Sequence, residues 1–107
     1  MRVIEYLNRD QTSPYRDWFN GLDAQAAAKV TTAMTRMDGG NLSNVKSIGG
    51  GVFENVLNFG AGYRIYLGKD GNTIIILLGG GTKRRQQKDI DAAKARWQEY
   101  KQRKKEG

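Results

Sequence analysis

The sequence predicts a small α+β domain in which an antiparallel sheet packs against helices, in the order β-α-α-β-β-β-α. Its 107 residues are the length of one domain, so we expect a single domain over residues 1–107. Two segments repeat apolar residues at three- and four-residue steps, as helices do. Between them lie three short β-rich segments bounded by glycine-containing turns, which is typical of consecutive antiparallel strands.

The N-terminal third predicts one strand and two helices. Residues 2–7 mix β-branched, aromatic and aliphatic side chains and indicate a first strand. Ser13 before Pro14 is typical of an N-cap followed by proline at the first helical position. A second helix should begin near Asp23 and end at the glycine pair 39–40, since glycine commonly follows the last helical residue.

The part of the chain after the second helix predicts a loop, three strands and a last helix. Residues 39–51, rich in Gly, Asn and Ser, favour a loop. The strands are expected at about 52–59, 63–68 and 73–78. The run Ile74–Leu78 is apolar on both faces, which indicates an internal strand covered on both sides. The last helix should cover about 86–103, and the basic residues 101–107 should form a frayed tail.

The absence of cysteine and histidine narrows the possible chemistry. No disulfide framework, thiolate nucleophile, imidazole base or histidine metal ligand is available. We therefore expect no metal site and no cofactor. The lack of cysteine fits a reducing cytoplasm. No segment resembles a signal peptide, and the longest apolar run is too short to span a bilayer, so we expect a cytoplasmic protein with no membrane partner.

The charge is concentrated in the second part of the chain. Residues 1–60 carry six Lys/Arg and six Asp/Glu, whereas residues 61–107 carry twelve and five, which accounts for the whole net charge of +7. Such asymmetry favours an anionic partner, most often nucleic acid, over a merely solvated surface.

A basic turn follows the last predicted strand. Three glycines at 79–81 precede Lys83, Arg84 and Arg85, and Lys88 lies in the first turn of the next helix. Cations presented by a flexible turn at the rim of a sheet are well placed to bind phosphate.

The strand pattern predicts which side chains share a face. With residues 60–62 as a three-residue loop, Asn55 faces Leu67 on the apolar side, and Val56 faces Tyr66 on the other side. A shift of one residue is disfavoured because it would exchange the two faces.

Arg64 and Tyr66 are therefore expected to project from the sheet face away from the main core, with Arg64 exposed and Glu54 at the far end of the neighbouring strand. Two other interpretations stay open. Arg64 could pair with Glu54 or with Asp89, and Tyr66 could be half-buried cover for the sheet.

Three segments resemble RelE/HigB-type toxins of bacterial toxin–antitoxin modules, and most closely their phage-derived addiction-module killer proteins. The segments are residues 40–46 continuing to 51–54, residues 62–66, and residues 80–83 followed by 86–90. The resemblance implies a RelE-like fold with an antiparallel sheet. It also implies cleavage of messenger RNA, usually on the ribosome, and neutralisation by a co-expressed antitoxin.

The resemblance also assigns candidate site residues. The basic site residues of the family fall on Lys46, Arg64 and Lys83. Glu54 matches the acidic residue of a Glu-Leu-Arg strand, but this chain has Val56 where relatives carry the arginine. The partner implied is an antitoxin, expected to be a helix-turn-helix protein encoded next to this gene.

These residues permit a metal-independent endoribonuclease, because RNA supplies its own nucleophile, the 2′-hydroxyl. Lys83 could act as base or charge clamp, Arg64 could hold the phosphate, and Tyr66 or Glu54 could transfer a proton. Arg84, Arg85 and Lys88 would bind RNA. Two alternatives stay open: a ParE-like toxin that binds gyrase without enzymatic activity, and an attenuated RNA-binding module.

Overall fold

The computed structural model describes residues 1–107 as a five-stranded sheet with helices on both faces. The strands are β1 (Arg2–Glu5), β2 (Val45–Gly49), β3 (Val52–Leu57), β4 (Tyr63–Asp70) and β5 (Ile74–Gly81), and the helices are α1 (Pro14–Asn20), α2 (Ala24–Asp38) and α3 (Gln86–Glu106). A short 3₁₀ turn, Lys83–Arg85, joins β5 to α3. The α+β class predicted from the sequence is confirmed.

The sheet has the order β1-β5-β4-β3-β2 and is mixed. β1 pairs in parallel with β5, and the other neighbours are antiparallel. The expectation of four antiparallel strands is therefore wrong in two respects. Part of the predicted loop forms β2, which folds back on β3 through three glycines, Gly49, Gly50 and Gly51, all with positive φ. β1 reaches β5 only through tertiary pairing, which no local pattern encodes.

Both predicted helix starts are confirmed. The Ser13 hydroxyl accepts a hydrogen bond from Arg16 N at 3.0 Å, and the Asp23 carboxylate accepts one from Ala26 N at 2.8 Å. Each bond satisfies one of the backbone N–H groups that a helix start leaves unpaired.

The sheet is covered on both faces. α1 and α2 pack on one face around Tyr15, Met37 and Ile65. α3 packs on the other, where the ring of Trp97 lies against Gly68, and a Cβ atom placed on Gly68 would overlap that ring. Ile75–Leu78 are fully buried, as an internal strand covered on both sides requires.

The β3–β4 hairpin differs in register from the prediction by two residues. Leu57 lies opposite Tyr63, Val56 opposite Arg64, and the loop spans residues 58–62. A shift of two residues leaves every side chain on its predicted face, because side chains alternate with period two. Arg64 and Val56 therefore do share the face on which α3 packs.

The C-terminal residues are helical rather than frayed. α3 continues to Glu106. Arg103 Nη2 donates to the Tyr6 hydroxyl at 3.1 Å, and the Lys104 ammonium pairs with the Asp70 carboxylate in the β4–β5 hairpin. None of the helices combines the length and apolar character that crossing a membrane requires.

Candidate functional site

Side chains from three strands line up beneath the N-terminal half of α3. In the register of the sheet, Lys46 of β2 lies opposite Glu54 of β3, and Glu54 lies opposite Tyr66 of β4. Arg64, two residues before Tyr66, points to the same side of β4. Lys46 is exposed at the outer strand of the sheet. It was expected in a loop, and the structure instead fixes it in β2.

Arg64 and Glu54 form a nearly buried ion pair. The Nε–Oε2 distance is 3.7 Å, and only 11 % and 13 % of the two side chains are exposed. Arg64 Nη1 also donates to the Gly62 carbonyl at 2.7 Å. The expectation that Arg64 projects freely into solvent is therefore wrong, and the alternative of a pair with Glu54 is confirmed. Strand alternation predicts only the face on which Arg64 lies. Its burial depends on the β3–β4 loop and on α3, which enclose it.

Tyr66 is fully buried, which corrects the expectation that it projects from an open working face. The second core, formed with α3, covers it. Burial, together with the nearby carboxylates of Glu54 and Asp89, raises the pKa of its hydroxyl to about 12, and Arg64 acts in the opposite direction. The hydroxyl therefore stays protonated at neutral pH, and its available role is that of a hydrogen-bond donor.

Three polar atoms in this cluster lack any hydrogen-bond partner. They are Glu54 Oε2, Arg64 Nε and the Tyr66 hydroxyl. Nearly all buried polar groups in proteins are hydrogen-bonded, and leaving one unpaired costs about 1–3 kcal/mol. Three unpaired atoms on neighbouring strands thus mark a locally unsatisfied site, which offers one acceptor and two donors.

Lys83 is exposed next to this cluster. Its backbone N–H donates to the Ala61 carbonyl at 3.3 Å, which holds the basic turn against the β3–β4 loop. A Cβ atom placed on Gly62 would lie 3.3 Å from Lys83 Cβ and 3.4 Å from Arg64 Nη1. Gly62, with φ +72°, therefore sits between the two cations and permits their close approach.

The three glycines before the basic turn have a different role from the one expected. β5 continues through Gly81, so they do not form a free turn. Side chains from the helices fill the space that their own would take: a Cβ atom on Gly80 would overlap the Trp18 ring, and one on Gly81 would overlap the Asp89 carboxylate.

Asp89 is a site residue that sequence reasoning treated only as a possible partner of Arg64. Its carboxylate rests on Gly81, which is the β5 neighbour of Arg64. Burial raises the pKa of this carboxyl group, and the cations Arg85, Arg96 and Lys88 act against that rise. The contact between Gly81 and Asp89 is what identifies Asp89 as a site residue. This contact depends on how α3 docks on the sheet, so the sequence alone did not reveal it.

The remaining predicted residues lie on the open side of the site. Arg84, Arg85 and Lys88 are exposed on the 3₁₀ turn and the start of α3. None of them forms a salt bridge with a carboxylate. They extend the positive surface beyond Lys83 without contacting the buried cluster.

Comparison with known proteins shows a relative of this chain. An uncharacterized protein of Haemophilus influenzae is 38 % identical over 89 residues, which cover 82 % of this chain and 90 % of that protein. No protein-family model matches the chain. No solved structure matches it either.

Proposed function

Because this chain belongs to the same family as the uncharacterized Haemophilus influenzae protein, whose name assigns no activity, we propose a function from the site itself. The protein is a metal-independent endoribonuclease that cleaves messenger RNA. It acts in the cytoplasm as the toxin of a toxin–antitoxin module and inhibits translation. The observation that carries the proposal is the cluster of unpaired polar atoms of Glu54, Arg64 and Tyr66, with Lys46 and Lys83 beside it.

The unpaired atoms match the groups of an RNA backbone. A phosphate accepts hydrogen bonds, which suits Arg64 Nε, and a ribose 2′-hydroxyl can donate to Glu54 Oε2. The Tyr66 hydroxyl is covered by α3 and lies opposite Glu54, so its role would be to donate to that carboxylate rather than to the RNA. An RNA strand that enters the cluster would shift the Arg64 side chain from Glu54 toward the phosphate. That exchange would free the carboxylate to accept a proton.

The reaction then needs only groups that the chain supplies. Glu54 takes the proton of the 2′-hydroxyl, whose oxygen attacks the adjacent phosphorus. The bond from phosphorus to the 5′-oxygen breaks, and Lys83 gives a proton to that oxygen. The products are a 2′,3′-cyclic phosphate and a 5′-hydroxyl. Arg64 stabilises the charge on the phosphate oxygens, and positioned acid–base groups of this kind contribute about 10²–10⁴-fold.

The exposed cations extend the site toward a larger partner. Lys46, Arg84, Arg85 and Lys88 can follow the backbone of an RNA strand on either side of the cleaved bond. The ribosome would hold the message in a fixed path and so supply positioning that a small domain lacks. The same surface would be covered by the antitoxin, proposed to be a helix-turn-helix protein encoded next to this gene.

One experiment separates this proposal from its alternatives. We would induce the chain without its partner and follow protein synthesis, DNA supercoiling and reporter transcripts by primer extension. Early loss of protein synthesis with new 5′ ends in the transcripts supports the nuclease. Early loss of supercoiling with intact transcripts would indicate a gyrase-binding toxin. Normal growth with intact transcripts would indicate an attenuated RNA-binding module. The physical reason would be that Arg64 is held by Glu54 and that Val56 supplies no second guanidinium.

A further inference from the structure

A cavity of about 310 Å³ opens where β3 extends beyond β2, between this strand and α2. It is at the lower end of the size range of small-molecule sites. Val56 lines it and is also the β-sheet neighbour of Arg64. The cavity lies on the α2 face of the sheet, whereas Arg64 lies on the α3 face, so the two sites meet only at the edge of β3.

The wall of this cavity holds a side-chain amide that makes no hydrogen bond within the protein. Asn55 is only 5 % exposed, and no side-chain hydrogen bond of the structure involves it. Its neighbours in the sheet, Val45 and Ile65, are apolar. The amide atoms of Asn55 are not fully enclosed by the protein, so they open to the cavity and offer one acceptor and two donors to a molecule that enters it.

The rest of the lining adds amides, cations and a ring, and no carboxylate. Asn44 and Asn58, both exposed, contribute two further side-chain amides. Arg36 and Lys29 supply positive charge, and the Lys29 ammonium lies 5.5 Å from the centre of the Phe59 ring. The cavity thus combines hydrogen-bonding edges, a flat apolar surface and positive charge.

The amides, the aromatic ring and the positive charge of this lining favour some classes of ligand over others. An ionised acidic side chain accepts hydrogen bonds only and would leave the amide oxygens of the asparagines unpaired, and inorganic phosphate has no flat apolar face to lie beside Phe59. A nucleobase presents donors and acceptors on one edge and a face that stacks on an aromatic ring. Its phosphate would meet Arg36 and Lys29.

We propose that this cavity binds one nucleotide, with the base hydrogen-bonded to Asn55 and Asn58 beside Phe59 and the phosphate on Arg36 and Lys29. Because β3 has no β2 neighbour beyond Asn55, an RNA strand could pass around this edge of the sheet from Arg64 to the cavity. The nucleotide would then be one that flanks the cleaved bond, and the cavity would select its base. The location next to a cleaved bond rests on the proposed function, whereas binding of a single nucleotide does not.

The test measures binding of AMP, GMP, CMP and UMP, with the uncharged nucleosides and inorganic phosphate for comparison, by NMR of the asparagine side-chain amides. We expect one mononucleotide to shift the Asn55 amide signals and to bind at least about tenfold more tightly than inorganic phosphate. Asn58→Ala and Arg36→Ala should each weaken it, while Asn72→Ala, which removes an exposed amide in the β4–β5 turn, should not. Asn55→Leu should abolish the preference between bases.

The outcomes separate this proposal from the nuclease. Lys83→Ala should keep mononucleotide binding and lose RNA cleavage. If cleavage is intact in the parent chain but no mononucleotide shifts the Asn55 signals, the cavity proposal is overturned and the nuclease stands. Binding of phosphate or a glutamate-rich peptide as tight as that of any nucleotide would also overturn it. A changed pattern of RNA cleavage sites in Asn55→Leu would identify the ligand as part of an RNA strand, and an unchanged pattern as a free nucleotide.

Discussion

Arg64 of β4 and Glu54 of β3 are diagonal neighbours with 3.7 Å between Nε and Oε2, and neither atom makes a hydrogen bond. Charges removed from water lose hydration, and their attraction compensates for this only when the geometry is good. The pair is therefore incompletely satisfied without a ligand. The same two side chains stabilise the β3–β4 hairpin and take part in the proposed reaction, so a substitution of either should change both stability and cleavage.

We expect Arg64→Ala to lower the free energy of unfolding by about 1–3 kcal/mol, because it leaves the Glu54 carboxylate nearly buried without its cation. Urea denaturation measures the change. The double variant Arg64→Ala/Glu54→Gln should regain part of the loss, since it removes the uncompensated charge. An unfolding midpoint in Arg64→Ala equal to that of the parent would show that the pair is open to water in solution.

We expect Lys83→Ala to reduce RNA cleavage by about 10²-fold or more through loss of the proposed acid. The free energy of unfolding should change by less than about 0.5 kcal/mol, because this side chain is exposed. Primer extension on a defined transcript measures cleavage. Lys105→Ala, which removes an exposed cation near the end of α3, is the matched control and should cleave normally. Full cleavage by Lys83→Ala would remove this residue from the mechanism.

Val56→Arg should strengthen RNA binding, because it places a second guanidinium beside Arg64 at the position where the resembling toxins carry arginine. The added charge-assisted contact is worth about 1.5–3 kcal/mol at most. The logarithm of the binding constant should fall more steeply with salt, by about one phosphate equivalent. Val56→Gln, similar in length but uncharged, should leave the salt slope unchanged. A slope that is the same in both variants would place this position outside the RNA path.

Asp70 should make the attachment of α3 dependent on pH. Hydrogen bonds from Lys104 and Tyr100 lower the pKa of its carboxyl group below 3.8 in the folded chain. A carboxyl group with a depressed pKa stabilises the fold above its unfolded pKa, and this contribution is lost as the pH falls through the folded value. We therefore expect stability to decline below about pH 4.

The matched variant is Asp70→Asn, whose stability should vary less with pH in that acidic range. Thermal melts at a series of pH values measure the difference between the two chains. If both lose stability in parallel as the pH falls, the Lys104 and Tyr100 contacts do not contribute to folding.

The sequence by itself determined the features that depend on neighbouring residues. The helix starts at Ser13 and Asp23 were predictable because each cap arises from contacts within a few residues. The common face of Arg64 and Tyr66 was also predictable. It follows from strand alternation, which survives a register error of two residues.

Only the tertiary structure decided which of those side chains are buried and which are paired. β2 forms because it pairs with the otherwise free edge of β3. β1 can lie parallel to β5 because a long connection that includes helices separates the two strands in the chain. Docking of α3 buries Tyr66 and brings Asp89 against Gly81. The cavity around Asn55 exists because β3 extends beyond β2. Each of these features depends on contacts between segments far apart in the chain, and a local pattern of residues carries no information about them.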